Sequence, residues 1–183
     1  MKRLLPLIAI FTISTIVSSC TKNEVSNTPN AEKNIFYSTN EDLMTDVTKV
    51  NIVLLSETTV LDSIGNQKQA RIMIRCNGNE LNTAVVTPTF NADNLEVQLR
   101  WDEKDPKTKY WSYSVDGTAY APFPLVYEDK LLYHQEFIED IRNHDSLVFG
   151  WSPYSSEKKA VKFDLKKIKP KIERAMVDGC IFE

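Results

Sequence analysis

Asn77-Gly78 stands between two runs of alternating side chains, Ala70–Cys76 and Asn79–Val86, and restricts the fold more tightly than any other short stretch. Successive side chains of a strand point to opposite faces, and Asn-Gly between two such runs is the strongest short-range hairpin signal. A two-residue turn here sets Ile74 opposite Leu81, Ile72 opposite Thr83 and Ala70 opposite Val85. On the other face Arg75 falls opposite Glu80, so one register yields both an apolar face and a cross-strand ion pair. An antiparallel sheet packed on one side follows, with Cys76 on the packed side.

The same period returns in Leu95–Gly117. Leu95, Val97, Leu99 and Trp101 share one face; Glu96, Gln98, Arg100 and Asp102 share the other. Charges and Pro106 then break the pattern, so Asp102 and Asp105 fall in a solvated connection. Lys109–Val115 resumes as a strand rich in Tyr and Trp, and Asp116-Gly117 supplies the next turn. Earlier in the chain, Val47–Ser56 and Thr58–Ile64 alternate before a turn at Gly65-Asn66.

Later, Pro122 and Pro124 interrupt regularity, and Leu125–Tyr127 behind them reads as a short edge strand. Leu131, His134, Ile138 and Ile141 fall at helical spacing within Glu128–His144, where one short helix is expected. Ser146–Trp151 and Ala160–Phe163 return to strand. Asp164 then caps a C-terminal helix with the stripe Ile168, Ile172, Ala175, Met176 and a C-cap at Gly179. The expected class is all-β, mainly an antiparallel β-sandwich or small barrel, with one or two short helices including the C-terminal one.

The N-terminus addresses the chain. Lys2 and Arg3 precede an apolar run from Leu4 to Val17, too short for a comfortable membrane span and suited to a signal segment. It ends in Val17-Ser18-Ser19-Cys20, which resembles the bacterial lipobox. That resemblance implies lipidation of Cys20 as the first mature residue, and Thr21 behind it implies the outer membrane, facing the periplasm. Residues 1–19 are thus expected to be a lipoprotein signal peptide, 20–39 a polar tether, and 40–183 a single β-rich periplasmic domain. Loss of Lys2 and Arg3 takes the formal charge from −3 to about −5, which argues against nucleic acid and against electrostatic docking on acidic lipid. With Cys20 assigned, Cys76 and Cys180 remain as an even pair in an oxidising compartment, and a disulfide between them is expected.

Sites of chemistry are weak. His134 and His144 lie ten apart, without the spacing of a zinc protease, and are expected on a solvated helix face; no metal site is expected. Ser152 in Gly150-Trp151-Ser152-Pro153-Tyr154 lacks the second Gly of a nucleophile elbow and reads as a turn. No phosphate-binding loop is present among the five glycines, and no cofactor is expected. The aromatic residues carry more. Trp111 and Tyr113 share one strand face and Tyr110 lies on the other, so this trio is a candidate binding surface unless the two sheets bury it.

Ile72–Cys76, Val97–Asp102, Trp111–Ser114 with Asp116-Gly117, and Phe163–Leu165 followed by a helix closed by Cys180 together resemble the periplasmic VasI/TagO-like proteins associated with type VI secretion. They also resemble the invasion-associated IalB-like proteins. The resemblance covers about residues 70–180 and implies a small disulfide-closed β domain; it transfers no catalytic residue. The expected function is non-enzymatic: a lipoprotein that binds an envelope protein, accessory to secretion or envelope assembly. The alternative is an inhibitor or exclusion lipoprotein acting against a hydrolase, toxin or phage.

Overall fold

The computed structural model describes residues 34–42, 44, 46–78, 80–90, 95–114, 116–123, 130–154, 157–180 and 182. The expected signal segment, Cys20, most of the tether and Leu125–Tyr127 lie outside the described residues. Among the described residues ten strands form two antiparallel sheets. The larger has the order β1 (Ile35–Asp42), β2 (Val47–Leu61), β3 (Gln67–Asn77), β4 (Glu80–Val86), β8 (Ala119–Ala121), β7 (Ser112–Tyr113). The smaller has the order β10 (Lys159–Asp164), β9 (Ser146–Trp151), β5 (Glu96–Trp101), β6 (Lys107–Tyr110). Helix α1 (Lys130–Asn143) precedes β9; a 3-10 turn (Leu165–Lys167) and α2 (Lys169–Val177) close the chain. The all-β sandwich with short helices is the observed class.

Alternation builds the core. Val50, Ile52 and Leu54 of β2, Ala70, Ile72 and Ile74 of β3, and Val97, Leu99 and Trp101 of β5 are buried. They meet Leu147, Phe149 and Trp151 of β9 and Val161 and Phe163 of β10 in one cluster. The β3–β4 register differs from the expected one by two residues. Ile74 pairs with Thr83, Ile72 with Val85 and Cys76 with Leu81, while Arg75 faces Asn82 rather than Glu80. Asn77 is the last strand residue and pairs with Glu80, so the turn begins at Gly78, which takes the positive φ of 58°. A two-residue slip preserves face parity, so Cys76 still points into the core, but the expected ion pair loses its partner.

The two sheets meet at two corners. Between Leu55 and Thr59 the β2–β3 register shifts, leaving Ser56, Glu57 and Thr58 as a bulge opposite Ala70. The buried Ser56 hydroxyl accepts the Ala70 N–H at 3.1 Å, replacing the lost ladder bond. At the bulge β2 comes against β10, where Thr58 Oγ1 accepts the Lys162 N–H at 3.0 Å. The second corner is Trp111, where the chain leaves β6 and becomes β7.

β1 corrects an expected boundary: ordered strand begins at Ile35, within the span read as tether, and pairs with β2 along its whole length. Tyr37 of this strand donates from its hydroxyl to Asp178 at 2.5 Å, and Arg174 of α2 lies 4.8 Å from its ring centroid. Burial, then the Asp178 bond, raises the Tyr37 hydroxyl well above its usual range.

Helix α2 ends as the sequence expects. Gly179 has φ +97°, Gly179 N–H bonds Met176 C=O and Cys180 N–H bonds Ala175 C=O. This is the paired capping pattern that a left-handed glycine permits. It turns Cys180 inward to within disulfide distance of Cys76, the Cα atoms 5.9 Å apart across a sequence separation of 104.

Candidate binding surface

The expected trio does not form one surface. Tyr110 is 65% exposed on β6, opposite Glu96. Trp111 is buried, its ring 5.2 Å from Phe137 in an edge-on contact and 5.7 Å from Phe149. Tyr113 belongs to the other sheet, pairs with Tyr120 and packs against the core. The physical reason is the corner. Trp111 N–H still bonds Leu95 C=O, next to β5 of the smaller sheet, whereas Ser112 N–H bonds Phe123 C=O beside the larger one. The single strand expected over Lys109–Val115 is two strands in two sheets, and the residue at the junction faces between them.

Tyr110 gains different neighbours in the fold. β5 links Tyr110, through Glu96, and Trp151, through Val97, at the same end of the smaller sheet. Trp151 donates from its indole N–H to Thr89 Oγ1 at 2.9 Å, which holds the segment after β4 against this end. Tyr154 N–H then bonds Phe90 C=O at 3.1 Å. Phe90 and Tyr154 are 58% and 66% exposed, so three large aromatic residues stand out of one end of the domain. Phe90 was not legible as a site residue: Thr87-Pro88-Thr89-Phe90 carries no period and no motif.

Beside them runs a shallow groove of about 90 Å³ over the outer face of β5, β9 and β10, lined in part by Glu96, Gln98, Gly150, Ser152 and Lys158. Gly150 opens it, since a Cβ there would stand 3.4 Å from that of Gln98. Lys158 and Glu96 pair across it at 3.5 Å. A drug-sized ligand needs about 300 Å³ or more, so the groove is a surface relief and not a small-molecule pocket.

The histidines are structural. His134, expected on a solvated face, is buried: Thr83 N–H reaches its Nδ1 at 3.0 Å and Thr83 Oγ1 lies 2.8 Å from the same atom. Accepting at Nδ1 puts the proton on Nε2, and burial, helped by Lys130, pushes the imidazole down to about 4. The helical stripe contained this residue; its polarity hid its burial. His144 stacks on Trp101 with ring centroids 5.1 Å apart, its Nδ1 2.8 Å from Asp140 C=O and its Nε2 2.9 Å from Lys104 Nζ. Asp102 is likewise no bystander of the loop. At φ +52° it accepts N–H bonds from Asp145 and Ser146 at 2.8 and 2.9 Å. Burial raises its carboxyl, the two donors outweigh that, and it is held below the usual carboxylate range. Among the described residues no three His, Cys, Asp or Glu side chains gather as a metal site. No family model, curated protein or solved structure matches the chain.

Proposed function

We propose that the chain is an exported, lipid-anchored binding domain that holds an envelope protein against the end marked by Phe90, Tyr110 and Tyr154. The observation that carries the proposal is the exposure of these three aromatics at one end of a disulfide-closed domain. Large exposed aromatics are costly in water, and Tyr is enriched where proteins meet because it offers apolar area with a polar tip. The lipobox-like Val17–Cys20 and the polar stretch behind it supply the anchor and the reach. The likeness to exported secretion-associated proteins supports an accessory role in secretion or envelope assembly. The domain works by occupancy, without chemistry of its own.

Photo-crosslinking from position 110 in intact cells tests this, with Cys20→Ala beside the wild-type chain. A specific envelope protein captured at position 110 and lost with Cys20→Ala is the expected result. An anchored, folded protein that captures nothing specific at this position overturns it.

A further inference from the structure

Among the described residues the fold guards its sheet edges, with one exception. β6 continues into β7 at Trp111 and carries Lys107 and Lys109. β10 lies against Thr58 of β2 and carries Lys159 and Lys162. Lysine on an edge discourages pairing with another chain. β1 is the other edge of the larger sheet. It is 8 residues long, holds one unbroken register with β2 from Ile35 to Asp42, and contains neither Lys nor Pro.

The hydrogen-bond phase of this edge is readable. Leu55 N–H bonds Asn34 C=O at 2.7 Å, which makes those two a hydrogen-bonded pair. Such pairs alternate along an antiparallel ladder, so Phe36, Ser38 and Asn40 bond toward β2. The N–H and C=O groups of Ile35, Tyr37, Thr39 and Glu41 therefore point away from the sheet, and among the described residues nothing receives them.

From this we infer that two copies of the chain pair antiparallel through β1, about a two-fold axis at Ser38. With Ser38 opposite its counterpart, Tyr37 falls opposite Thr39 and Ile35 opposite Glu41 of the second copy, and every outward group of those four residues meets its complement. No like charges face each other. Tyr37 and Thr39 form an aromatic and β-branched pair twice over. Sliding the register by two residues either way strands some of the outward groups, and sliding further toward the C-terminal end brings the two Glu41 carboxylates together. Self-complementarity of one patch is what a two-fold dimer requires. The surface is separate from the aromatic end, so a dimer leaves Phe90, Tyr110 and Tyr154 free on both copies.

Cysteine cross-linking tests the register in cells expressing the full chain. In this pairing the Ser38 pair is a non-hydrogen-bonded one with Cα atoms about 4.5 Å apart, inside disulfide range. Ser38→Cys is expected to give a covalent dimer under mild oxidant, at least about tenfold more than Phe36→Cys or Asn40→Cys alone, while those two co-expressed cross-link to each other. Thr39→Pro added to Ser38→Cys is expected to abolish the dimer, since the Thr39 N–H makes no bond to β2 and only the outward donor is lost. A folded Ser38→Cys chain that stays monomeric overturns the inference. So does a dimer that survives Thr39→Pro, or Phe36→Cys that links to itself as readily. If Ser38→Cys does not fold, amide exchange of the wild-type chain decides. Slow exchange at Tyr37 and Thr39 that quickens on dilution supports pairing. Exchange that is fast throughout, or slow at every concentration because the chain's own residues cover the edge, overturns it.

Discussion

Lowering the pH from 6.5 to 4.5 is expected to destabilise the domain chiefly through one side chain. His134 is buried against Thr83 and Phe123, with its proton affinity pushed down to about 4 from an ordinary 6.5. Unfolding releases it to water, where it binds a proton that the folded state refuses. Stability is therefore complete above pH 6.5 and falls as pH drops toward 4, because the unfolded chain holds more protons across that window. The slope reaches its full value only between the two protonation midpoints and flattens at either edge, so the fall from 6.5 to 4.5 is about 2 kcal/mol. Asp62, Asp102, Asp116 and Asp145 are held below the usual carboxylate range, so they add their loss only at lower pH. Asp140, raised by burial, works in the opposite sense, but it is present in both chains compared. The assay is urea unfolding at half-unit pH steps, wild type against His134→Gln, with the disulfide intact. Gln offers Thr83 an amide oxygen and carries no proton in this range. The wild-type slope is expected to flatten in His134→Gln. A slope equal in both chains, or no slope in the wild type, refutes the assignment.

Three further outcomes follow from the geometry. Reducing the Cys76–Cys180 link frees a loop spanning a sequence separation of 104 and is expected to cost roughly 3–5 kcal/mol, read as a lower Tm in reductant; an unchanged Tm contradicts it. Trp111→Ala is expected to cost about 3–5 kcal/mol and Tyr110→Ala within about 0.5 kcal/mol, both from urea midpoints, and equal costs would contradict the corner at Trp111. Ser56→Ala leaves the Ala70 N–H without its bulge acceptor and is expected to cost about 1–3 kcal/mol, with the Ala70 amide exchanging faster; an unaltered exchange rate contradicts that role.

Much of this fold is legible in local pattern. Alternation marks the inward sides of β3 and β5, Gly179 marks the helix end, and cysteine parity marks Cys76 and Cys180. What local pattern does not encode is pairing. The turn at Asn77-Gly78 is offset by one residue along the chain, because Gly78 and not Asn77 takes positive φ, and every partner then moves by two. Lys109–Val115 breaks its alternation at the adjacent aromatics Tyr110-Trp111, but a local break does not say that β6 and β7 on either side of it serve different sheets. The tether expected over 20–39 takes in Ile35–Thr39, where Ile35-Phe36-Tyr37 is too short an apolar run to announce a strand by itself and pairs because β2 presents it a long partner. At the candidate surface, Tyr110 was readable as an exposed aromatic, whereas Phe90 and Tyr154 join it only through the Thr89–Trp151 bond and the pairing of β5 with both β6 and β9.

The most direct measurement is binding of the folded chain to envelope extract, comparing wild type with the triple substitution Phe90→Ala, Tyr110→Ala, Tyr154→Ala. All three side chains are exposed, so the triple variant is expected to keep its unfolding midpoint to within about 1 kcal/mol. The account predicts that it loses a specific partner which the wild-type chain retains. A partner held equally by both chains, or none held by the wild-type chain, contradicts the claim that the aromatic end is where the domain works.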